Sequence, residues 1–252
     1  MTVKSARRVF EILELYARSP QPATLTRIAE SLGLPKSSCL ALLETLEASG
    51  YLYEVRPQVG YYPTRRWLEH AQVIADNDPI VQTLAPVMDR LRDETEETII
   101  LGRLAGDRVM YLHIVDSPQT IRYSARAGEF KPLHGSSSGK ALLGSLTVEE
   151  RGAVLDRIEL ERFNARTITR RDILEREIAR GVARGWHTSV GEHVPDVTGV
   201  SRAVDLGGEA YVISVAGPIH RLAERIDAIG EVLVRACARL GPRSPPRRSR
   251  SA

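Results

Sequence analysis

Only two cysteines, Cys39 and Cys237, occur in 252 residues, which leaves neither a disulfide framework nor a zinc finger available. Both read as small core residues. No apolar run approaches the ~20 residues of a membrane span. The early cations Lys4, Arg7 and Arg8 are followed by no apolar stretch of the secretory kind, so the expected location is the cytoplasm. Aromatic residues make up only 5% of the chain. Charge of one sign is also scarce, because the formal net charge is +3. Four arginines (243, 247, 248 and 250) lie in the acid-free segment 242–252, so the remainder carries −1. That segment, rich in Pro, Arg and Ser, reads as a disordered basic tail. A neutral body excludes a global field for nucleic acid, and any phosphate affinity must come from local cations.

What is present begins with residues 25–53, LTRIAESLGLPKSSCLALLETLEASGYLY. Ile28 and Leu32 share one face of a short helix, and Ala29 beside them lets a second helix cross closely. Gly33 supplies a left-handed C′ residue, and Pro35 fits the first turn of the next helix, which starts near Lys36. On that helix Cys39, Leu42, Leu43 and Leu46 follow i, i+3, i+4, i+7 and face the core. Ser37, Leu40, Ala41 and Glu44 form the outer side. One buried side and one slim outer side are what a major-groove helix needs, and helix-turn-helix pairs that bind no DNA are the bland alternative. Two β-prone runs around Arg56-Pro57-Gln58 read as a hairpin wing, with Arg56 at its tip for the phosphate backbone. Arg27, Lys36, Ser37 and Ser38 are the other phosphate candidates, and Leu40-Ala41 leaves thymine-methyl contact as the base readout. Upstream, Val9, Ile12, Leu13 and Tyr16 stripe a supporting helix that begins near Ser5.

Residues 1–63 thus read as a winged helix-turn-helix, 64–78 as a linker helix, and 79–241 as a second, α+β domain. Its expected strands are 98–104, 108–116, 120–125, 200–206 and 210–216, the last two joined at Gly207-Gly208, a dipeptide suited to a primed turn. Its expected helices run from Pro79, from Val148 with the capping box Thr147-x-x-Glu150, from Arg170 with Thr169 as N-cap, and from Arg221 to Leu240.

The densest chemistry is Pro132-Leu-His-Gly-Ser-Ser-Ser-Gly-Lys140, a small-hydroxyl loop opening a helix. Free amides there, with Ser136, Ser137 and Ser138, give about four or five donors for an oxyanion. The spacing is not that of a phosphate-binding P-loop.

These residues resemble an IclR-type bacterial transcription regulator from about Ser5 to Leu240: LGLPKSS with GYL, PLH-x4-GKALL, TIT-x4-L-x-x-E-I, the Gly185-Trp186 pair and SVAGP. The resemblance implies a winged helix joined to a GAF-like effector domain, a homodimer or dimer of dimers, operator DNA, and small organic acids or aromatics as effectors. It implies no cofactor and no metal. It places the effector pocket on Ser137 and Ser138 before Gly139, on Ser189, on Gly199, and on Ser214 and Ala216. Ser136, Ser201, Tyr123 and Phe130 join as neighbours, the two aromatics as a pocket wall or as plain core. Thr188-Ser189-Val190-Gly191, where relatives commonly carry an acid, and Gly199, where they commonly carry Cys, imply room for a larger or more anionic ligand, and Ala216 removes one hydroxyl. Strand alternation turns Arg202 away if Gly199 and Ser201 face the pocket. Two other classes stay open: an enzyme built on Ser136, Lys140, His134 and His113, and a ligand-independent DNA binder with a degenerate pocket.

Overall fold

The computed structural model describes residues 3–55, 60–238 and 240. Arg56, at the expected wing tip, and the segment 242–252 lie outside the described residues. The chain divides into two compact units, Met1–Asp78 and Pro79–Ala252.

In the first unit, α1 (Lys4–Arg18), α2 (Leu25–Leu32) and α3 (Lys36–Ala48) precede a ribbon of β1 (Leu52–Glu54) and β2 (Tyr61–Pro63), and α4 (Arg66–Asp76) follows. Gly33 closes α2 at φ 61°, ψ 40°, in the left-handed region. Thr24 caps the other end by accepting from the Arg27 amide. Arg8 donates to the Leu32 carbonyl at 2.7 Å, placing a cation on the negative end of α2. Ile12, Tyr16, Ile28, Ala29, Leu32, Cys39, Leu43, Leu46 and Leu52 form one buried cluster. Leu13 is only half-buried and stands outside it, where Leu15 packs instead. The Tyr16 hydroxyl donates to the Tyr61 carbonyl at 2.6 Å and ties α1 to the ribbon. The first turn of α4 docks there too: the Trp67 indole donates to the Tyr51 carbonyl at 2.9 Å. The rest of α4 buries no residue and leaves Leu68, Val73 and Ile74 exposed.

The second unit opens with α5 (Pro79–Thr95) and is built on one antiparallel sheet. Its strands are β3 (Thr98–Ala105), β4 (Arg108–Val115), β5 (Phe130–Pro132), β6 (His187–Val190), β7 (Val197–Leu206) and β8 (Glu209–Pro218), in the order β5-β4-β3-β8-β7-β6. Gly207 (φ 67°) and Gly208 (φ 87°) make a two-residue turn with positive φ at both positions, the geometry of a type I′ hairpin. Strand alternation sorts the side chains between two helix layers. Ile99, Leu101, Tyr211, Ile213 and Val215 pack with α5 and with α10 (Ile226–Cys237). On the other face Ile100, Val109, Tyr111, Val212 and Ala216 meet α6 (Ser137–Ser145), α7 (Val148–Leu155) and α8 (Arg171–Arg184). The result is an α+β domain with the sheet between two helix layers.

Three expectations change. Residues 120–125 form no strand: their carbonyls are held by side chains instead of a ladder, with Thr98 donating to Tyr123 at 2.7 Å and Arg221 to Ile121 at 3.0 Å. Thr169 does not cap α8, whose N-cap position is Arg170; the Thr169 hydroxyl accepts from Arg162. The expected helix from Arg221 to Leu240 is broken into α9 (Ile219–Leu222), a 3₁₀ turn (Ala223–Arg225) and α10. That break lets Arg221 pair with the fully buried Glu97 and Arg225 reach the Thr95 carbonyl. Helix α1 starts at Lys4, beside the expected Ser5. The capping box of α7 is present as Thr147 with Glu150.

Candidate effector pocket and DNA-reading helix

Strand register builds the pocket floor. Ser189 on β6 pairs with Gly199 on β7, Gly199 with Ala216 on β8, and Ala216 with Thr98 on β3, so three small side chains and a glycine lie in one row. The next row on the same face runs His187, Ser201, Ser214, Ile100. Helix α6 starts above these rows, and the cavity between them holds about 50 Å³ and is open to solvent. Ile100, Ser136, Ser137, Ser138, Ser189, Gly199, Ser214 and Ala216 line it, with Tyr111, Tyr123 and Lys131 on a side wall.

Gly199 leaves no room for a larger ligand. A Cβ there would stand 2.4 Å from the Ser137 Oγ, so the missing side chain is replaced by the start of α6. Gly139 plays a related part. It does not line the cavity, and a Cβ on it would fall 2.2 Å from the Leu133 carbonyl oxygen, so it lets α6 pack on the turn before it.

Hydroxyl accounting reduces the donors expected at this helix start. Ser136 is the N-cap: its Oγ accepts from the Gly139 amide at 3.1 Å and donates to the Pro132 carbonyl at 2.6 Å. Ser189 donates to the Gly135 carbonyl at 2.9 Å. Ser137, Ser201 and Ser214 form a buried chain of oxygens, each step 2.7 Å. Ser201 is the middle member and does not reach the cavity wall. Three hydroxyl protons make two internal bonds, so one surplus proton is offered to the cavity, from Ser137 or from Ser214. The amides of Ser137 and Ser138 add two donors, since the first turn of a helix has no intrahelical acceptor.

The side wall was only partly legible. Tyr123 lines the cavity as expected, but Phe130 is 49% exposed and does not. Alternation along β5 turns the neighbouring Lys131 inward instead, opposite Val109. Tyr111, buried on β4, is the second aromatic of the wall. Burial holds that phenol far above its usual range. The sequence reading named neither Tyr111, which lies within the expected strand 108–116, nor Lys131, which adjoins the candidate Phe130. Arg202 faces away from the cavity and donates to the Gly185 carbonyl.

The segment 191–197 closes one side with His193, Val194 and Val197. Lys140, fully buried on α6, fixes it by donating to the Glu192 Oε1 at 2.6 Å and to the Thr188 carbonyl at 3.0 Å. Burial raises the Glu192 carboxyl above its ordinary value, with Lys140 acting against that shift. His193 is lowered by burial and by nearby Lys131 and His134. The histidines and Lys140 do not assemble a nucleophile and base: His134 meets the Glu161 carbonyl at 2.9 Å and stacks on Phe163, while the Ser136 hydroxyl is spent on Pro132. Among the described residues no three His, Cys, Asp or Glu side chains are grouped to hold a metal.

In the first unit, α3 presents Lys36, Ser37, Ser38, Ala41 and Glu44 to solvent, while Leu40 is half-buried. Arg27 on α2 is exposed, and its guanidinium donates to the Ser19 hydroxyl at 3.0 Å. The helix face therefore carries one lysine against one glutamate, and its slimness comes from Ser and Ala.

Comparison with known proteins accounts for both halves. The IclR helix-turn-helix domain matches residues 5–56, and the bacterial transcriptional regulator IclR C-terminal domain matches residues 72–240. The HTH-type transcriptional regulator BhcR of Paracoccus denitrificans is 30% identical over 249 residues, covering 98% of this chain and 89% of the relative. The HTH-type transcriptional repressor AllR of Salmonella typhi is 29% identical over 91% of this chain and 86% of its own. Among solved structures, an IclR regulator from Alicyclobacillus acidocaldarius shares the fold at a TM-score of 0.78, with 23% identity over 95% of this chain and 98% of that one. An IclR homologue from Microbacterium hydrocarbonoxydans, complexed with 4-hydroxybenzoate, does so at 0.75, with 24% identity over 93% and 96%. With two matched domains in sequence order and a 30% identical relative along nearly its whole length, this chain belongs to the IclR family of DNA-binding transcription regulators with a C-terminal effector-binding domain.

Proposed function

We propose that this regulator binds operator DNA in the cytoplasm as a homodimer, and that a small carboxylate or aromatic effector in the α6 pocket changes that affinity. Residues 1–63 act as the winged reader, 64–78 as the link and 79–241 as the sensor. On the reader, Lys36, Ser37, Ser38, Arg27 and Arg56 take phosphates. Ala41 and the exposed part of Leu40 meet base edges, and Glu44 flanks them. Two copies are required because one lysine per recognition helix neutralises little phosphate charge. Exposed Leu68, Val73 and Ile74 on α4 and Phe10 on α1 support a pairing surface in the first unit.

The observation that carries the sensor reading is the start of α6 above the row Ser189, Gly199, Ala216: two free amides and one surplus hydroxyl proton converge on a partly apolar cavity. A relative with the same fold holds 4-hydroxybenzoate. A ligand there shifts the population of two arrangements only by its differential affinity for them. The test is anisotropy titration of the chain on DNA from upstream of its own gene and its neighbours, with and without a panel of small acids and aromatics. A change of about tenfold in operator affinity is expected for at least one compound, matching a coupling of ~1.4 kcal/mol. Identical affinities across the panel would leave a ligand-independent DNA binder as the reading.

A further inference from the structure

Lys131 carries the only full positive charge among the residues that line the cavity, and no Asp or Glu is among them. His193 is lowered from its ordinary value by burial first, and then by Lys131 and His134, which leaves it neutral at pH 7. The Lys131 side chain is 16% exposed and its ammonium donates to the Glu129 Oε2 at 2.8 Å. It also stands 5.6 Å from the Tyr111 ring centroid. Burial alone would lower this ammonium, but Glu129 and Tyr123 more than offset that, so it stays charged.

Glu129, in contrast, is a rim residue. Its side chain is 37% exposed, and its Oε1 accepts from the Arg126 amide at 3.1 Å, so it stays solvated and anchored when Lys131 turns away. The pair is part-buried at Lys131 and open at Glu129, so exchanging Glu129 for a carboxylate inside the cavity keeps the ammonium paired and leaves Glu129 to solvent. The hydroxyl-bearing side chains of Ser138, Tyr111 and Tyr123 line the cavity together with Lys131. An anion in the cavity therefore has partial positive charge at one end and a full charge at the other.

We propose that Lys131 is the specificity-determining residue of this pocket, selecting a small monocarboxylate by releasing Glu129 and pairing with the ligand. The proposal rests on the effector reading above. A neutral ligand of the same shape must leave the Lys131–Glu129 pair in place or strand the ammonium, so it gains nothing from the cation.

Calorimetric titration of the full chain with benzoate, 4-hydroxybenzoate, propanoate and lactate, each beside its primary amide, tests this. In the unaltered protein the best acid is expected to bind at least about tenfold more tightly than its amide, the discrimination of one charge-assisted pair. Lys131→Met is expected to bring acid and amide to within about twofold, Lys131→Arg to keep the preference, and Glu129→Gln to tighten the acid by freeing the ammonium. Retention of the acid preference in Lys131→Met, or its loss in Lys131→Arg, overturns the proposal and leaves the sensor reading standing. Unaltered protein that binds none of the acids or amides overturns the sensor reading, and this proposal with it.

Discussion

Gly199 shows how a single missing side chain is used. The atom nearest to the absent Cβ is the Ser137 Oγ, at 2.4 Å, with the Ser137 Cβ at 3.4 Å. Gly199→Ala must therefore push α6 or turn Ser137 out of its bond with Ser201, and is expected to destabilise the protein by about 1–3 kcal/mol in urea unfolding. Ser137→Ala removes the obstructing oxygen but keeps an acceptable contact, so the double variant should lose less than the sum of the two singles. Additive losses would mean that the close approach has no energetic weight. The serines at 136–138 were legible in the sequence because small hydroxyl residues before a helix have a backbone reason to be there. The use made of Gly199 was not, since the occupant of its empty space, Ser137, lies 62 positions away in the chain. Lys131 was missed for a related reason: on a three-residue strand, phase is set by the partner strand, and a slip of one exchanges Phe130 for Lys131.

Between elements, His187 acts as a wedge. It projects from β6 toward glycines on two helices: a Cβ on Gly144 of α6 would meet its ring at 2.7 Å, and one on Gly181 of α8 at 2.2 Å. Burial lowers its imidazole from 6.5 to about 4, with Arg184, Lys140 and Arg202 acting in the same direction. The unfolded chain therefore takes up a proton at higher pH than the folded one. The stability tied to neutral His187 is complete above pH ~6.5 and is lost as pH falls toward 4, to a total of about 3 kcal/mol. Glu192, raised above its ordinary value, contributes with the opposite sign. Chemical unfolding between pH 7 and 4.5 is expected to show a shallower decline in His187→Leu than in the unaltered protein; equal declines would remove His187 from the account. Elements with a strong period, α2, α3, α5, β7 and β8, were legible from side-chain spacing alone. The strands β5 and β6 were not, being three and four residues long. Residues 120–125 alternate like a strand but are held by Thr98 and Arg221, a long-range arrangement that local pattern does not encode.

For the molecule as a whole, the near-neutral body decides how DNA binding depends on salt. With Lys36, Arg27 and Arg56 as the cations proposed per subunit, a dimer neutralises on the order of four to six phosphates, and log K against log salt is expected to fall with a slope of roughly −4 to −5. Anisotropy titrations from 50 to 250 mM KCl read that slope, and a flat response would contradict phosphate-led binding. The two-part plan was legible because each part has its own period and its own turn chemistry: Gly33-Leu34-Pro35 in one, Gly207-Gly208 in the other. The low charge of the recognition helix was legible too, and it directs attention to the number of copies bound rather than to the strength of one.

The chain of three serine oxygens beneath the pocket has one more property. Its protons reverse direction without moving a heavy atom, so the wall presents a donor at Ser137 and an acceptor at Ser214, or the opposite. Such a wall meets a carbonyl and an alcohol at the same spot with equal ease. A metabolite and its two-electron reduction product are alike to it, and any discrimination between an oxo acid and the corresponding hydroxy acid must come from shape at the opposite side of the cavity.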